Sequence, residues 1–242
     1  MISPAESKVE QIRQKRRDEK YCVIIPSYME AKRIAEVVSH VLRYVKAVVV
    51  IDDGSADATS EEARKAGATV IRHDINKGKA AALKTGLDYA RNCGFHVVIC
   101  MDGDGQHDPD DIPTFIEAYV RTGVPALIGN RMGDLTNMPL IRQWTNKFTS
   151  WFLSREMNQY VPDTQCGYRL YRCDIIPFVS ADSERFAAES EILLRIADHG
   201  LRIDAVPIKT VYRDEKSKIR PFKDSIRFFS MMRRYRKSRK QA

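Results

Sequence analysis

Asp102, Asp104 and Gln106 are the residues of this chain whose types and spacing best suit the holding of a cation. They lie in VVICMDGDGQHDPDDIP, Val97 to Pro113, where an apolar run gives way to Asp102, Asp104, Asp108, Asp110 and Asp111. Carboxylates this close repel one another unless a cation or water lies among them. On extended backbone, residues i and i+2 face one side. Asp102 and Asp104 are therefore expected to approach one hard cation, with Gly103 allowing close backbone approach and Gln106 adding a neutral oxygen. Oxygen donors suit Mg2+ or Mn2+, which commonly keep waters and bind substrate phosphates through one or two carboxylates. For Asp108 to Asp111 the plainer reading holds: DPDD begins a helix, whose dipole favours carboxylates at that end. A phosphatase or phosphotransferase with an aspartate nucleophile also carries D-x-D at a strand end, and Asp102 and Asp104 alone leave that reading open.

Other polar clusters follow other apolar runs. IDDGSADAT (51–59) places Asp52 and Asp53 after the second run. A carboxylate there can accept hydrogen bonds from a base or ribose, and Asp53 is assigned that role, while Ser55 or Asp57 caps the next helix. NKGK (76–79) opens a helix with two lysines and a glycine, which fits a phosphate site or a plain solvated helix start equally well. PSYMEA follows the first run where a nicotinamide dehydrogenase would carry G-x-G-x-x-G, so that class is excluded.

These clusters need elements to position them. Strands are expected at 21–26, 47–52, 68–73, 96–102 and 125–130, with helices at 30–45, 57–66, 78–94 and 109–123 between them. Alternation of this kind with continuously apolar strands implies a mostly parallel sheet covered on both faces. Ligands of such sheets bind at the carboxyl ends of the strands, where every cluster named above falls. The second half is less regular. Helices are expected at 140–157 and 183–200, a short strand and turn within 160–176, a strand opening 201–221, and a basic amphipathic helix over 222–240.

The 242 residues are 43% hydrophobic and 30% charged, the balance of a globular protein with a real core. No apolar run approaches the roughly 20 residues that span a bilayer, and the charged first twenty residues have no secretory character. Five cysteines without a C-x-x-C pair argue against a disulfide framework or a zinc site. Residues 213–240 carry a net +9, residues 1–20 a net +2, and the remainder a net −3. Basic ends on a slightly acidic body point to an anionic surface as partner. With no nucleic-acid motif in the body, a membrane surface is preferred.

Taken in order, VIIPSYMEAKRI, VVVIDDGSADAT, NKGKAAALKTG, VVICMDGDGQHDPDDIP, GNR, DTQCGYRLYR, ESEILLRIADHGLRI and SKIRPFKDSIRF resemble an inverting family 2 glycosyltransferase. The subgroup they are most similar to is the dolichyl- or polyprenyl-phosphate sugar synthases, over about residues 21–230. The resemblance implies the A-type glycosyltransferase fold, Rossmann-like, with a basic N-terminal extension (1–20), a catalytic domain (21–221) and a basic C-terminal helix (222–242). It implies that Pro26, Tyr28 and Glu30 contact the nucleotide and that Ile51 and Asp53 hold base and ribose. Asp102, Gly103, Asp104 and Gln106 match the metal–diphosphate motif, with Asp102, Asp104 and Gln106 as ligands of Mg2+ or Mn2+. Arg131 matches an arginine on the substrate phosphate or sugar, and Arg213 and Lys218 match cations of a loop that closes over the donor. TQCGYR stands where mannose-transferring members often carry a serine–glycine pair, so the donor remains open between GDP-mannose and UDP-glucose types.

The implied reaction moves a sugar from nucleotide to polyprenyl phosphate with inversion, on the cytoplasmic face of a membrane. A lipid phosphate is already an anion and needs no strong base. A hydroxyl acceptor would need a carboxylate to take its proton, and Asp163, Glu189 and Glu191 are the candidates. A family 2 enzyme with a soluble or other hydroxyl acceptor and a non-catalytic nucleotide-binding regulator are the competing readings.

Overall fold

The computed structural model describes residues 4–133, 138–179, 186–209 and 221–239. In chain order the elements are α1 (Pro4–Arg17), β1 (Tyr21–Ser27), α2 (Ile34–Val41), β2 (Val48–Asp52), α3 (Thr59–Lys65) and β3 (Thr69–Arg72). There follow α4 (Lys79–Asn92), β4 (Val97–Cys100), a 3-10 turn (Pro109–Asp111), α5 (Ile112–Thr122), β5 (Ala126–Asn130) and α6 (Leu140–Met157). The last are β6 (Arg169–Arg172), α7 (Ile176–Val179), α8 (Phe186–Asp198), β7 (Ile203–Pro207) and α9 (Pro221–Arg239).

The strands form one sheet in the order β3-β2-β1-β4-β6-β5-β7. Every pairing is parallel except those of β6, which runs antiparallel to β4 and β5, with Arg169 opposite Cys100 and Ile128. All five residues of β2 and all four of β4 are buried, as strands covered on both faces require. The reversed strand matters for function. Its amino end lies at the carboxyl ends of β4 and β5, so residues 163–168 are delivered to the edge where the other loops emerge. A short strand was expected in 160–176, but its direction has no signature in the residues.

Helix α4 crosses β1 and β2 at Gly86, where a Cβ would lie 2.8 Å from Ile51 Cδ1 and 3.0 Å from Ile24 Cδ1. That close crossing brings the first residue of α4, Lys79, over the carboxyl edge. Helix α6 ends at Asn158, which takes the left-handed conformation (φ 52°) that asparagine tolerates better than most residues.

Helices α1 and α9 dock on the domain. In α1, Arg16 Nη1 donates to Val120 O (3.0 Å) at the end of α5 and its guanidinium sits over the Tyr119 ring. On α9, Met231, Met232 and Tyr235 are buried in the main core, Phe228 meets Phe152 of α6 edge-on at 5.9 Å, and Arg236 pairs with Glu156. Of the apolar side chains described on α9, Met231, Met232 and Tyr235 thus pack on the domain and not against a membrane, Phe228 is partly buried, and Phe229 is exposed at 54%. The sequence pattern is the same for either partner, and the nearer apolar surface is the domain itself.

Candidate active site

The site lies where β1, β2 and β4 end, roofed by the start of α4, the loop before β6 and the first turns of α8. Beyond Cys100 the chain leaves the strand, and residues 103–105 turn, with Gly105 at φ 75°. Asp102 and Asp104 are therefore related by a turn and not by the strand alternation expected for them. Asp102 N donates to His107 Nδ1 (3.0 Å), and Gln106 N donates to Asp104 Oδ1 (3.0 Å). His107 is buried against the Tyr168 ring at 4.9 Å; burial lowers its pKa, against the pull of Asp102. At Gly103 a Cβ would lie 2.6 Å from Ser27 Oγ, so only glycine lets this turn settle on the end of β1.

The cation among the carboxylates is a lysine. Lys79 Nζ lies 2.7 Å from Asp102 Oδ1 and 2.9 Å from Glu189 Oε1. Burial alone would raise the pKa of Asp102, but Lys79 beside it outweighs that and holds the carboxyl at about 2. Glu189 is held down in the same way by Lys79 and Arg169. The Lys79 ammonium is pushed above its ordinary range, burial opposing and the two carboxylates prevailing. Arg169 is fully buried; it donates to the carbonyls of Cys166 (2.7 Å), Glu189 (2.7 Å) and Thr164 (3.0 Å), and its Nη2 lies 3.4 Å from Glu189 Oε2. It thereby ties the loop before β6 to α8. Gly167 leaves room beside the group: a Cβ there would lie 3.1 Å from Lys79 Nζ and 3.4 Å from Asp102 Oδ2.

Arg131, just past β5, forms a two-pronged pair with the buried Asp163, Nε to Oδ2 at 2.7 Å and Nη2 to Oδ1 at 2.9 Å. Asn146 of α6 donates to the same carboxylate at 2.8 Å. Burial would raise the pKa of Asp163, but Arg131 and Asn146 lower it below the usual range. Asp163 is therefore the anchor of Arg131 and is not disposed to take a proton. Glu191 pairs with Arg195 at 2.6 Å, one helical turn on.

The nucleotide residues implied by resemblance are spread along the edge. Tyr28 is exposed, Pro26 and Glu30 are partly so, and the loop they form is tied to the next by Met29 N to Ser55 Oγ and Glu30 N to Thr59 Oγ1, both 2.9 Å. Ile51 is wholly buried, so only its backbone faces the edge. Asp53 accepts Lys77 N (2.9 Å) and Gly78 N (2.7 Å), and His73 Nδ1 lies 2.7 Å from it. The amides of NKGK thus already hold an anion, the protein's own Asp53, and that carboxylate shapes the loop preceding Lys79. Asp108 caps the 3-10 turn through Asp110 N (3.0 Å), the helix-start role expected of it. Arg213 and Lys218 lie outside the described residues.

Lys79, Glu189, Arg169 and Asn146 were not singled out as partners of the metal motif. Lys79 stood in NKGK and Glu189 among the candidate bases, but only folding reveals that they face each other. Arg169 and Asn146 had no signal beyond being polar residues within apolar segments.

Asp102, Asp104 and Gln106 offer the hard oxygen donors that suit Mg2+ or Mn2+, and Gly167 keeps the space beside the Asp102 carboxylate open. Residues 22–178 match the family model described as "Glycosyl transferase family 2". The chain is 36% identical to an uncharacterised protein of Methanocaldococcus jannaschii over 84% of this chain and 86% of that one. It is 30% identical to the UDP-N-acetylglucosamine–dolichyl-phosphate N-acetylglucosaminyltransferase of Methanococcus voltae over 79% of this chain and 86% of that one. Its fold is similar to that of glucosyl-3-phosphoglycerate synthase from Mycobacterium tuberculosis, solved with Mn2+, UDP and phosphoglyceric acid. That match has a TM-score of 0.68 at 17% identity and covers 93% of this chain and 81% of that one.

Proposed function

The chain belongs to glycosyl transferase family 2, and from that premise we propose that it is an inverting, metal-dependent enzyme. It moves a sugar from a nucleoside-diphosphate sugar to a polyprenyl phosphate. The observation that carries the acceptor is the state of the three carboxylates available as bases. Asp163 is held by Arg131, Glu189 by Lys79 and Arg169, and Glu191 by Arg195. A hydroxyl acceptor needs one of them to take a proton; a phosphate monoester arrives as an anion and needs none. The dolichyl-phosphate acceptor in the name of the Methanococcus voltae relative supports the same choice.

In this reading Asp102, Asp104 and Gln106 hold Mg2+ or Mn2+, which when bound offsets the charge of the leaving diphosphate. Pro26, Tyr28, Glu30, the backbone of Ile51, and Asp53 through the loop it shapes, form the nucleotide side of the cleft. Lys79 and Arg131 supply fixed positive charge at the strand ends, where it stabilises phosphate oxygens without reorganising. Arg213 and Lys218, on the segment after β7, add to it when that segment covers the donor. The acceptor phosphate attacks the anomeric carbon opposite the departing diphosphate, which inverts it.

Among the described residues no helix is long and apolar enough to cross a membrane. We place the chain peripherally on the cytoplasmic face. A panel of UDP- and GDP-sugars, incubated with the full chain and Mn2+ with and without undecaprenyl phosphate, tests the proposal by mass spectrometry. A lipid-phosphate sugar formed from one donor and abolished by chelator is expected. Transfer only to a soluble hydroxyl acceptor, or undiminished transfer in excess chelator, would overturn it.

A further inference from the structure

Helix α6 is amphipathic the wrong way round. Its inward residues include Asn146 and Ser150, which bond to Asp163 and to Thr164, beside Leu153 and Met157. Its outward residues are Leu140, Ile141, Trp144, Phe148 and Trp151, exposed at 72%, 74%, 75%, 55% and 59%. With 100° per residue these five fall on one side of the helix, opposite the buried four. Single exposed apolar residues are ordinary, but a contiguous large apolar face marks an interaction surface.

We infer that this outer face of α6 is the surface by which the chain seats on a membrane containing anionic lipid. The inference rests on the reading of the acceptor as a membrane lipid. Three observations select this occupant. Tryptophan and phenylalanine beside cations is the composition of a helix lying in the headgroup region, and Lys147 and Arg155 are exposed on the same side of α6. The neighbouring α9, joined to α6 through Phe152–Phe228 and Arg236–Glu156, turns Met231, Met232 and Tyr235 inward and leaves Arg233 and Lys237 exposed. The cations of both helices complement anionic headgroups, whereas a second copy of this face would set Lys147 and Arg155 against their equivalents. The face is also continuous with the site: Asn146, on the inner side of α6, braces the Asp163–Arg131 pair. Seating α6 would bring the Arg131 end of the cleft within about 10 Å of the lipid, one helix diameter. The basic α9 then assists electrostatically without inserting.

The chain has two tryptophans, Trp144 and Trp151, both on this face, so selectively excited tryptophan fluorescence reports on α6 alone. The full chain is mixed with vesicles of phosphatidylcholine, with or without phosphatidylglycerol and free of polyprenyl phosphate. With anionic vesicles the emission should shift to the blue and be quenched by brominated acyl chains, and raising the salt should weaken both effects. The double variant Trp144→Ser/Phe148→Ser, which keeps Trp151 as reporter, should partition into anionic vesicles at least about tenfold less with an unchanged thermal midpoint. Emission that ignores every vesicle would overturn the inference. So would a blue shift that follows protein concentration without lipid, with dimers in sedimentation, since the face would then be a self-association surface. The acceptor is tested apart from the surface. The double variant should keep transfer to a short, water-soluble prenyl phosphate and lose transfer to vesicle-borne undecaprenyl phosphate. If the unaltered chain glycosylates neither, the acceptor reading fails while the vesicle result still decides the surface.

Discussion

Lys79 does at the residue scale what a bound divalent ion would do, separating carboxylates that would otherwise repel across the cleft. Replacing it with Met leaves Asp102 and Glu189 facing each other without their shared partner. A fully buried pair broken in this way costs about 3–5 kcal/mol. Lys79 and Asp102 keep side-chain exposures of 34% and 29%, so a loss of ~1–3 kcal/mol is expected, read as a lower urea midpoint at unchanged slope. Asp163 is different in kind, since its carboxylate is fully buried under Arg131 and Asn146. Asp163→Ala should therefore cost the full ~3–5 kcal/mol together with activity. Asp104 is partly exposed, and its hydrogen bond is to the nearby Gln106 amide. Asp104→Ala should remove most transfer while moving stability by no more than about 0.5 kcal/mol. Equal destabilisation by the Asp104 and Asp163 variants would show that the division between ligand and anchor is wrong.

Among elements, β6 and α9 decide most. Because β6 runs against its neighbours, it returns the 163–168 loop to the catalytic edge, and through Arg169 it fastens that loop to α8. Helix α9 has been drawn into the core through Met231, Met232 and Tyr235, and Tyr235 bonds Asp198 of α8. It is part of the fold's support. Met231→Ala should cost ~2–5 kcal/mol, the range for truncating a buried methionine, whereas Phe229→Ala on the exposed side should stay within about 0.5 kcal/mol. Thermal or urea unfolding of the two variants checks this. A negligible effect of Met231→Ala would mean that α9 is a loosely held tail.

For the whole molecule, the charge network sets the acid limit of stability. Asp102 titrates at about 2 in the fold against about 3.9 when unfolded, and Asp163 and Glu189 are also lowered. A lowered folded pKa stabilises above the unfolded value, and the gain is lost as pH falls through the folded one. Asp111, raised by burial, acts in the opposite sense but alone among the site's neighbours. His107, lowered from the ordinary imidazole value by its burial, acts in the same sense as the lowered carboxylates at higher pH, so unfolding free energy should decline below about pH 6.5 and drop steeply from about pH 4 toward about pH 2, with the drop from Asp102 much reduced in Lys79→Met. A flat profile across that window would contradict the paired state of these carboxylates. The strand–helix alternation, the parallel sheet and the strand ends as ligand edge were legible in the residues, because apolar periodicity and turn chemistry are local properties of the chain. So was the clustering of Asp52, Asp53, Asp102 and Asp104 at those ends, and the match of VVICMDGDGQ to a known motif. What each carboxylate touches was not legible. Lys79 and Glu189 are separated by more than a hundred residues, and their meeting at Asp102 depends on how α4 crosses β1 at Gly86 and on how Arg169 holds α8 to the loop. The apolar residues of α6 and α9 show the same limit. Both helices carry aromatic residues among cations, and only three-dimensional packing determines that α9 turns Tyr235 inward while α6 leaves Trp144 and Trp151 outside. A periodic pattern states that a helix has an apolar face; which surface covers that face is a property of everything packed around it.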